Sequence, residues 1–273
     1  MKQDNEAARK LVVLDIGCRW GFAEKFTQDK DAFRVYGFDP DVEECERLAL
    51  RYKGLDVCLV PLGLAGQPGK RTLYLTHEPA CSSLLKPAPY LTENYPALAC
   101  ARLVSTTEVE TTTLDAWAEQ SRVNTIDYLK LDTQGTELEI LQGGVAALQS
   151  VRCIEVEVEF NPIYLGQAIF SEVDLFLRAQ GFVLWKLTNH VHYSSNGNPE
   201  SPLSEDSVFY DDRQQVKHAS FGGQLYWANA HYVKKDVLNI DSTSESQRLR
   251  DVQLFDTLGM PDVVDHLRGK TLA

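Results

Sequence analysis

Short apolar runs alternate with segments of helical period along the first part of the chain. Residues 11–16 (LVVLDI) are continuously apolar, which is typical of a strand covered on both faces. Residues 33–38 and 56–60 predict a second and a third strand. Phe22 and Phe26, four residues apart, predict a helix after the first strand. Such β–α steps favour parallel strands with right-handed helical crossovers, and hence an open α/β sheet.

The second strand is followed by a helix start, and the third by a long excursion. Asp41 is the expected N-cap of the helix, with Glu44 three residues later. Residues 62–123 are expected to be a structured insertion over one edge of the sheet, containing a strand over residues 71–76 and a short helix near 114–119. Its prolines argue against a central strand or a long helix there.

The sheet is expected to resume with residues 126–131 and to continue with strands over 151–160 and 182–187. Residues 224–233 are expected to close it as a hairpin partner of the sixth strand. The helix predicted after residues 126–131 has Leu138, Leu141, Val145 and Leu148 on one face. The helix predicted before residues 182–187 has Ser171 as its N-cap and Gly181 as its stop signal.

Two polar stretches divide the rest. Residues 188–223 are expected to form a polar loop, and 241–246 (DSTSES) a linker before a C-terminal helix marked by residues 249–258. We therefore expect one domain over 1–235 and a linker with a helical extension over 236–273.

Composition narrows the partners. Acidic residues outnumber basic ones 39 to 27, giving a formal net charge of -12, and no run of Lys and Arg compensates locally. We therefore do not expect nucleic acid to be a partner of this protein. The polar start, the lack of a long apolar stretch and six scattered cysteines predict a cytoplasmic protein with free thiols and no membrane span.

The strongest local signal is DIGCRWG, residues 15–21, directly after the first strand. Gly17 permits a tight turn, and Gly21 permits close approach of the next helix. The spacing is not that of a dinucleotide site, and Asp15 would repel a pyrophosphate. An acid there suits a ligand with an ammonium group, such as S-adenosylmethionine. Asp39, which ends the second strand, is placed to bind ribose hydroxyls; the alternative is a generic nucleotide fold whose acids merely cap helices.

A second signal, KLDTQGTE, follows the fourth strand. Asp132 is expected to point into the crevice beyond the carboxyl ends of the strands, or to cap the next helix, or both. Glu137 in the first turn of that helix suits the helix dipole in any case. Lys130, flanked by leucines, needs a partner or a route to solvent.

Further candidates lie on the fifth and sixth strands. Glu155, Glu157 and Glu159 share one face of an internal strand, so that face must be wet, paired or functional. Glu159 is nearest the carboxyl end and is the candidate to reach substrate, while Lys130 is a candidate partner for the others. His190 and His192, after the sixth strand, are candidate general bases or surface residues.

Residues 161–164 (NPIY) offer a rival interpretation. They are similar to the Asn-Pro-Pro-Tyr loop of amino-methyltransferases, although that loop follows the fourth strand and this one follows the fifth. An N-methyltransferase using the Asn161–Tyr164 loop is therefore an alternative.

The order DIGCRWG, YGFDP, TTTLDAW, IDYLKLDTQGTELEILQGG, EVEFNPIY and GF-LW resembles the FkbM family of S-adenosylmethionine-dependent methyltransferases, over about residues 11–233. The resemblance implies a Rossmann-like class I methyltransferase fold, with an open, mostly parallel seven-stranded sheet, helices on both faces and an antiparallel last strand. Known members methylate hydroxyl groups on natural products and sugars.

The resemblance also implies roles for individual residues. It places Asp15, Gly17 and Gly21 at the methionine end of the cofactor and Asp39 on its ribose. The other residues that it places at the cofactor are Cys18, Arg19, Pro40, Leu62, Gly63 and Asp132. Cys18-Arg19 replaces the common Ala-Asn, and Gln134 stands where many members have Glu, which leaves one fewer charge for a base or metal.

The sequence thus predicts an O-methyltransferase acting on a hydroxyl of a sugar, glycan or natural product. Asp132, Glu159 and His192 are the candidate bases, and the choice among them stays open. Mg²⁺ at Asp132, Glu159 and Asn161 is a minority hypothesis that we do not favour. A non-catalytic cofactor-binding module in a glycan-assembly complex is the remaining alternative.

Overall fold

The computed structural model describes residues 9–193, 208–211, 216–219 and 224–269. In chain order the strands are β1 (Leu11–Ile16), β2 (Phe33–Phe38), β3 (Val57–Val60), β4 (Gly63–Leu64), β5 (Gly69–Thr76), β6 (Leu103–Thr112), β7 (Tyr128–Leu131), β8 (Cys153–Glu159), β9 (Phe182–Tyr193), β10 (Val208–Asp211), β11 (Val216–Ala219) and β12 (Gln224–Lys234). The helices are α1 (Val42–Arg51), α2 (Pro89–Asn94), α3 (Leu114–Gln120), α4 (Glu137–Gln142), α5 (Phe170–Ala179), α6 (Glu245–Thr257) and α7 (Pro261–Leu267).

The central sheet has seven strands in the order β3-β2-β1-β7-β8-β12-β9. The pairs from β3 through β8 are parallel, and β12 lies antiparallel between β8 and β9. The expected Rossmann-like class I methyltransferase fold is confirmed, including the antiparallel last strand.

Alternation along the strands builds two cores. The even-numbered residues of β1 (Val12, Leu14 and Ile16) join one core with β7, β8 and side chains from α3, α4 and α5. The odd-numbered Leu11 and Val13 join a second core on the opposite face. Both faces of the sheet are therefore covered by apolar side chains, as the continuous apolar run of β1 predicts.

The second face is not covered in the expected way. Phe22 and Phe26 are buried there, but the chain between β1 and β2 forms only a 3₁₀ turn, Glu24–Phe26, so the predicted helix is wrong. The spacing of the two rings reflects burial alone. Side chains of α6 and α7, among them Phe255, Leu254 and Leu267, cover this face instead.

The C-terminal helices are also tied to the sheet by buried charges. Both Arg250 Nη2 contacts to the Asp127 carboxylate are 2.9 Å, and Arg152 donates to Asp251 at 2.9 and 2.7 Å. A boundary at residue 235 stays a prediction, but α6 and α7 share one core with β1.

The insertion contains more strand than expected. β4, β6 and β5 form a separate three-stranded sheet, in which β5 and β6 pair antiparallel. The predicted strand at 71–76 and the helix near 114–119 match β5 and α3. The long strand β6 was missed because the prolines of the insertion all precede it, so they restrict the segment before residue 97 and not this one.

Two helix predictions need correction. α4 ends at Gln142, and Val145 is 40% exposed, because the chain packs closely at the next two residues: a Cβ on Gly144 would lie 2.7 Å from Leu114 Cδ2. α5 begins at Phe170 with Ile169 as N-cap, so Ser171 is not the cap. The Glu172 carboxylate accepts the Ile169 N–H instead.

The polar loop expected from residue 188 begins later than predicted. β9 continues to Tyr193 because it pairs along nearly the whole length of β12. Within the described residues, β10 and β11 also pair antiparallel with each other. Residues 194–207, 212–215 and 220–223 of the predicted loop lie outside the described residues.

Candidate active site

A cavity of about 620 Å³ lies between the carboxyl ends of the central strands and the three-stranded sheet of the insertion. Ligand cavities of roughly 300–1,000 Å³ accommodate small molecules and cofactors. The predicted residues that line it are Gly17, Arg19, Asp39, Pro40, Leu62, Gly63 and Asp132. Sequence reasoning missed its opposite wall, which includes Leu73, Leu75, Thr76, Val104 and Ser105 from β5 and β6.

Gly17 shapes the floor of this cavity. Its φ is +83°, and a Cβ there would lie 1.9 Å from the carbonyl oxygen of Asp132. Its N–H donates to the Phe38 carbonyl at 2.9 Å, so the turn ties the ends of β1 and β2 together. Only glycine permits both the backbone conformation and this close approach to β7.

Arg19 and two aspartates form the charged rim. Arg19 Nε lies 3.6 Å from Asp39 Oδ2, and Arg19 Nη2 hydrogen-bonds to Asp41. Asp39 Oδ1 accepts the Asp41 N–H at 2.8 Å, and Asp41 caps α1 as predicted. Burial raises the pKa of Asp39, while the Asp41 N–H and Arg19 favour its ionised form. Asp39 thus faces the cavity with its side chain held at the end of β2.

The rest of the DIGCRWG turn supports the cavity from behind. Asp15 is buried at 5% exposure, Cys18 is fully buried, and neither lines the cavity, nor does Gly21. A Cβ on Gly21 would lie 2.4 Å from the Tyr52 hydroxyl, which also accepts the Phe22 N–H. Gly21 therefore permits close packing against α1, and not against a following helix as expected.

Asp132 lines the cavity at the end of β7. Its Oδ2 lies 3.2 Å from Lys130 Nζ, and its Oδ1 accepts from Gln134 Nε2 at 3.0 Å. The same Gln134 nitrogen donates to Glu157 at 2.9 Å. Asp132 does not cap α4, whose N-cap is Thr136. Among the alternatives for this residue, the structure therefore shows the position in the crevice.

Glu137 organises the KLDTQGTE loop. Its carboxylate accepts the Thr133 N–H at 2.7 Å, the Thr133 hydroxyl at 2.9 Å and the Gly135 N–H at 3.0 Å. Burial raises the pKa of Glu137 although these donors oppose the shift. The side chain thus braces the loop that presents Asp132.

The three glutamates of β8 differ sharply along one face. Burial would raise the pKa of Glu155, but His231, Lys130 and Lys25 outweigh it and lower the value to about 2. Tyr128 and Asn229 donate hydrogen bonds to this carboxylate. Burial, joined by repulsion from Asp132 and Glu137, raises the pKa of Glu157 well above its ordinary value.

Glu159 is 3% exposed and does not line the cavity. Burial and repulsion from Glu137 and Glu157 raise its pKa well above the ordinary range. Asp132 lines the cavity and Glu159 does not, so Asp132 is the better-placed candidate base.

The histidines and the NPIY loop lie elsewhere. His190 and His192 are within β9, not in a loop after it, and neither lines the cavity. Asn161 Nδ2 donates to the Leu225 carbonyl at 2.7 Å, and the Tyr164 hydroxyl donates to Gln134 Oε1 and to the Cys81 carbonyl. The loop therefore supports β12 and Gln134, and Asn161 does not line the cavity.

Within the described residues, His, Cys, Asp and Glu side chains nowhere form a group of three or more suited to a metal ion. In the same part of the chain, each helix is too short or too polar to cross a membrane.

The chain matches the model of the methyltransferase FkbM domain over residues 14–184. It belongs to this family. It is 27% identical over 165 residues to the 2-O-methyltransferase NoeI of Sinorhizobium fredii (strain NBRC 101917 / NGR234), a match that covers 57% of this chain and 66% of that protein. The predicted membership is thereby confirmed.

Solved structures of methyltransferases are similar at lower identity. The magnesium protoporphyrin IX methyltransferase ChlM of Synechocystis PCC 6803, with bound S-adenosylmethionine, is 11% identical with a TM-score of 0.41, over 85% of this chain and 78% of that one. The Burkholderia thailandensis 1,6-didemethyltoxoflavin-N1-methyltransferase, with bound S-adenosylhomocysteine, is 13% identical with a TM-score of 0.39, over 86% and 78%.

Proposed function

We propose that this FkbM-family protein is an S-adenosylmethionine-dependent O-methyltransferase that acts on a hydroxyl of a sugar, glycan or natural product. The observation that carries the proposal is the cavity, in which Gly17, Asp39 and Asp132 meet at the carboxyl ends of β1, β2 and β7. The relation to NoeI, named as a 2-O-methyltransferase, supports a hydroxyl acceptor.

The residues present suit this cofactor. The carboxyl groups of Asp39 and Asp132 line the cavity, and acids there favour a ligand that carries sulfonium and ammonium charges. Asp39 would bind the ribose hydroxyls, with Pro40, Leu62 and Gly63 at the adenine side and Arg19 at the rim. Asp15, Cys18 and Gly21 would support the methionine end through the turn. When bound, the cofactor supplies an electrophilic methyl group.

Asp132 would accept the proton of the acceptor hydroxyl, since it lines the cavity and is held by Lys130 and Gln134. Glu159 and His192 remain candidates by sequence, but neither lines the cavity. The acceptor would lie against Ser82, Ser83 and the β5–β6 wall. A small-molecule or glycan acceptor, and not nucleic acid, suits a net charge of -12.

Transfer of labelled methyl from S-adenosylmethionine to a panel of glycans and hydroxylated natural products tests the proposal. We expect Asp132→Asn to lower turnover at saturating cofactor by about 100-fold or more, in line with loss of a general base. Glu108→Gln, which alters another acid on the cavity wall, is the matched control. Cofactor binding without transfer to any member of the panel would instead support the non-catalytic module.

A further inference from the structure

The Gln134 side chain connects Asp132 to two other parts of the chain. Its amide nitrogen Nε2 donates to Asp132 Oδ1 at 3.0 Å and to Glu157 Oε2 at 2.9 Å. Its amide oxygen Oε1 accepts from the Tyr164 hydroxyl at 3.1 Å. A primary amide has two donor hydrogens and one acceptor oxygen, so these three contacts use both of its ends. The Gln134 amide is therefore held in one orientation, because the reverse orientation would bring its oxygen against the Asp132 carboxyl group.

The backbone of Gln134 is tied to the cavity wall. Its φ is +60°, in the left-handed region that glycine adopts more easily than other residues. The Ser83 hydroxyl donates to the Gln134 carbonyl at 2.7 Å. The Tyr164 hydroxyl, which faces the Gln134 amide, also donates to the Cys81 carbonyl at 2.6 Å. The wall at residues 81–83 and the NPIY loop therefore meet at Gln134.

The two oxygens of Asp132 are held by different partners. Lys130 Nζ lies 3.2 Å from Oδ2, while Gln134 Nε2 donates to Oδ1. Contacts on both oxygens fix the plane of the carboxyl group, whereas the Lys130 contact alone would let the group rotate. Because Asp132 lines the cavity, this plane determines how its carboxyl group meets a ligand there.

We propose that Tyr164 and Gln134 form a relay of positioning residues for Asp132, in which the Tyr164 hydroxyl orients the Gln134 amide and the amide fixes the Asp132 carboxyl group at the cavity. The proposal rests on the proposed role of Asp132 as the base in methyl transfer. It gives the NPIY loop a part in that reaction although Asn161 does not line the cavity. The loop acts through its tyrosine and Gln134, and not by contact with the acceptor.

Carbon-13 NMR of the aspartate carboxyl groups, recorded on the full chain without cofactor or acceptor, tests the relay. The Asp132 signal is identified by its absence in Asp132→Asn. Hydrogen bonds donated to a carboxylate favour its ionised form, so Gln134→Met should raise the titration midpoint of Asp132 by about one pH unit. Tyr164→Phe, which removes one hydroxyl, should raise the midpoint by less. Both variants leave in place the charged and titratable groups near Asp132, which are Lys130, Glu137, Glu157 and Glu159, with Arg19 and Asp39 on the cavity lining.

Tyr232→Phe is the matched control. Tyr232 is also buried, and its hydroxyl donates to Asp174 Oδ1 at 3.1 Å, but neither residue lines the cavity. This variant should leave the Asp132 midpoint unchanged. A midpoint that stays the same in Gln134→Met or in Tyr164→Phe, or one that shifts as far in Tyr232→Phe as in Tyr164→Phe, would overturn the proposal.

Turnover measurements separate the relay from the proposed function. With an acceptor that the wild type methylates, Gln134→Met should lower kcat by about 10-fold through misplacement of the base. It should cause no further loss in the Asp132→Asn background, because a positioning residue acts through the group that it positions. Equal losses in the two backgrounds would overturn the proposal. Wild-type protein that methylates no acceptor would contradict the proposed function, and the NMR midpoints would still decide the relay.

Discussion

The two ends of the central sheet both bury carboxylates, and they treat them in opposite ways. At the end where β7 and β8 begin, Asp127 pairs with Arg250, and Asp251 with the fork of Arg152. Arg152 uses two nitrogens on the two Asp251 oxygens, a bidentate geometry that makes a strong ion pair, while Arg250 contacts both Asp127 oxygens through Nη2. These pairs connect the sheet to the helix that covers its second face.

At the opposite end, Glu137, Glu157 and Glu159 are buried near Asp132, which pairs with Lys130. Burial raises the pKa of Glu137, and burial together with repulsion from neighbouring carboxylates raises the pKa values of Glu157 and Glu159. This end lies beside the cavity that Asp132 lines. The difference indicates that the first end holds the fold together, while the second favours protons or a cationic ligand at a cost in stability.

The largest loss of stability should come from breaking the Arg250–Asp127 pair, at the end of the sheet where β7 and β8 begin. Arg250→Met leaves Asp127 buried without its arginine, and loss of one partner of a buried pair costs about 3–5 kcal/mol. We expect the urea midpoint of unfolding to fall accordingly. In the double variant Arg250→Met/Asp127→Asn, the asparagine oxygen still accepts the Val12 N–H, so part of the stability should return. No recovery would argue against an electrostatic origin.

A comparison of Glu155→Gln with Glu157→Gln separates the two behaviours on one strand. The folded-state pKa of Glu155 is about 2 against an ordinary 4.5, so its ionised form contributes stability that is present above about pH 4.5 and lost as the pH falls toward 2. Glu155→Gln should therefore lower stability at pH 7 by about 3 kcal/mol.

Glu157 has the opposite sign. Because its folded-state pKa is raised, the folded protein holds a proton that the unfolded chain releases above about pH 4.5, and stability falls as the pH rises. Glu157→Gln cannot ionise, so it should flatten that fall and cost little at pH 7. Urea unfolding between pH 4 and 9 measures both variants. Equal destabilisation by the two substitutions would contradict the assignment.

A smaller difference in stability separates two reasons for glycine at position 17: the close approach of neighbouring atoms and the positive φ. Gly17 and Gly54 both have positive φ, but a Cβ on Gly54 would meet nothing within 4 Å. Gly54→Ala should cost about 1 kcal/mol in backbone strain. Gly17→Ala should cost roughly 1–3 kcal/mol more, because its Cβ collides with the Asp132 carbonyl. Similar unfolding midpoints for the two variants would show that the turn can move away from β7.

The sequence predicts the sheet well because strand signals are local. The signals of the apolar run of β1 and of the turn residues Gly17 and Asp39 come from residues close by in the sequence, and the structure places these residues as expected. Phe22 and Phe26 misled because apolar spacing reports burial, and a 3₁₀ turn buries them equally well. The helix α6, which covers that face, lies more than 200 residues later in the sequence.

Site chemistry is harder to predict because it depends on contacts between distant strands. Glu155 and Glu157 look equivalent in sequence, yet His231, which β12 places nearby, helps to lower the pKa of Glu155, while burial with repulsion from Asp132 and Glu137 raises that of Glu157. Gln134 was visible only as a departure from the family pattern. Its bridge between Asp132 and Glu157 required the structure.

The most direct test of the functional end is calorimetric titration with S-adenosylmethionine of the wild type, Asp39→Asn and Glu43→Gln. Both substitutions remove one negative charge from the cavity lining, but only Asp39 is placed to accept ribose hydroxyls. We predict binding by the wild type, a loss of about 10- to 100-fold in Asp39→Asn, since a hydrogen bond to a charged group contributes about 1.5–3 kcal/mol, and little change in Glu43→Gln. Folded wild-type protein that binds neither S-adenosylmethionine nor S-adenosylhomocysteine, or equal losses in the two variants, would contradict the account.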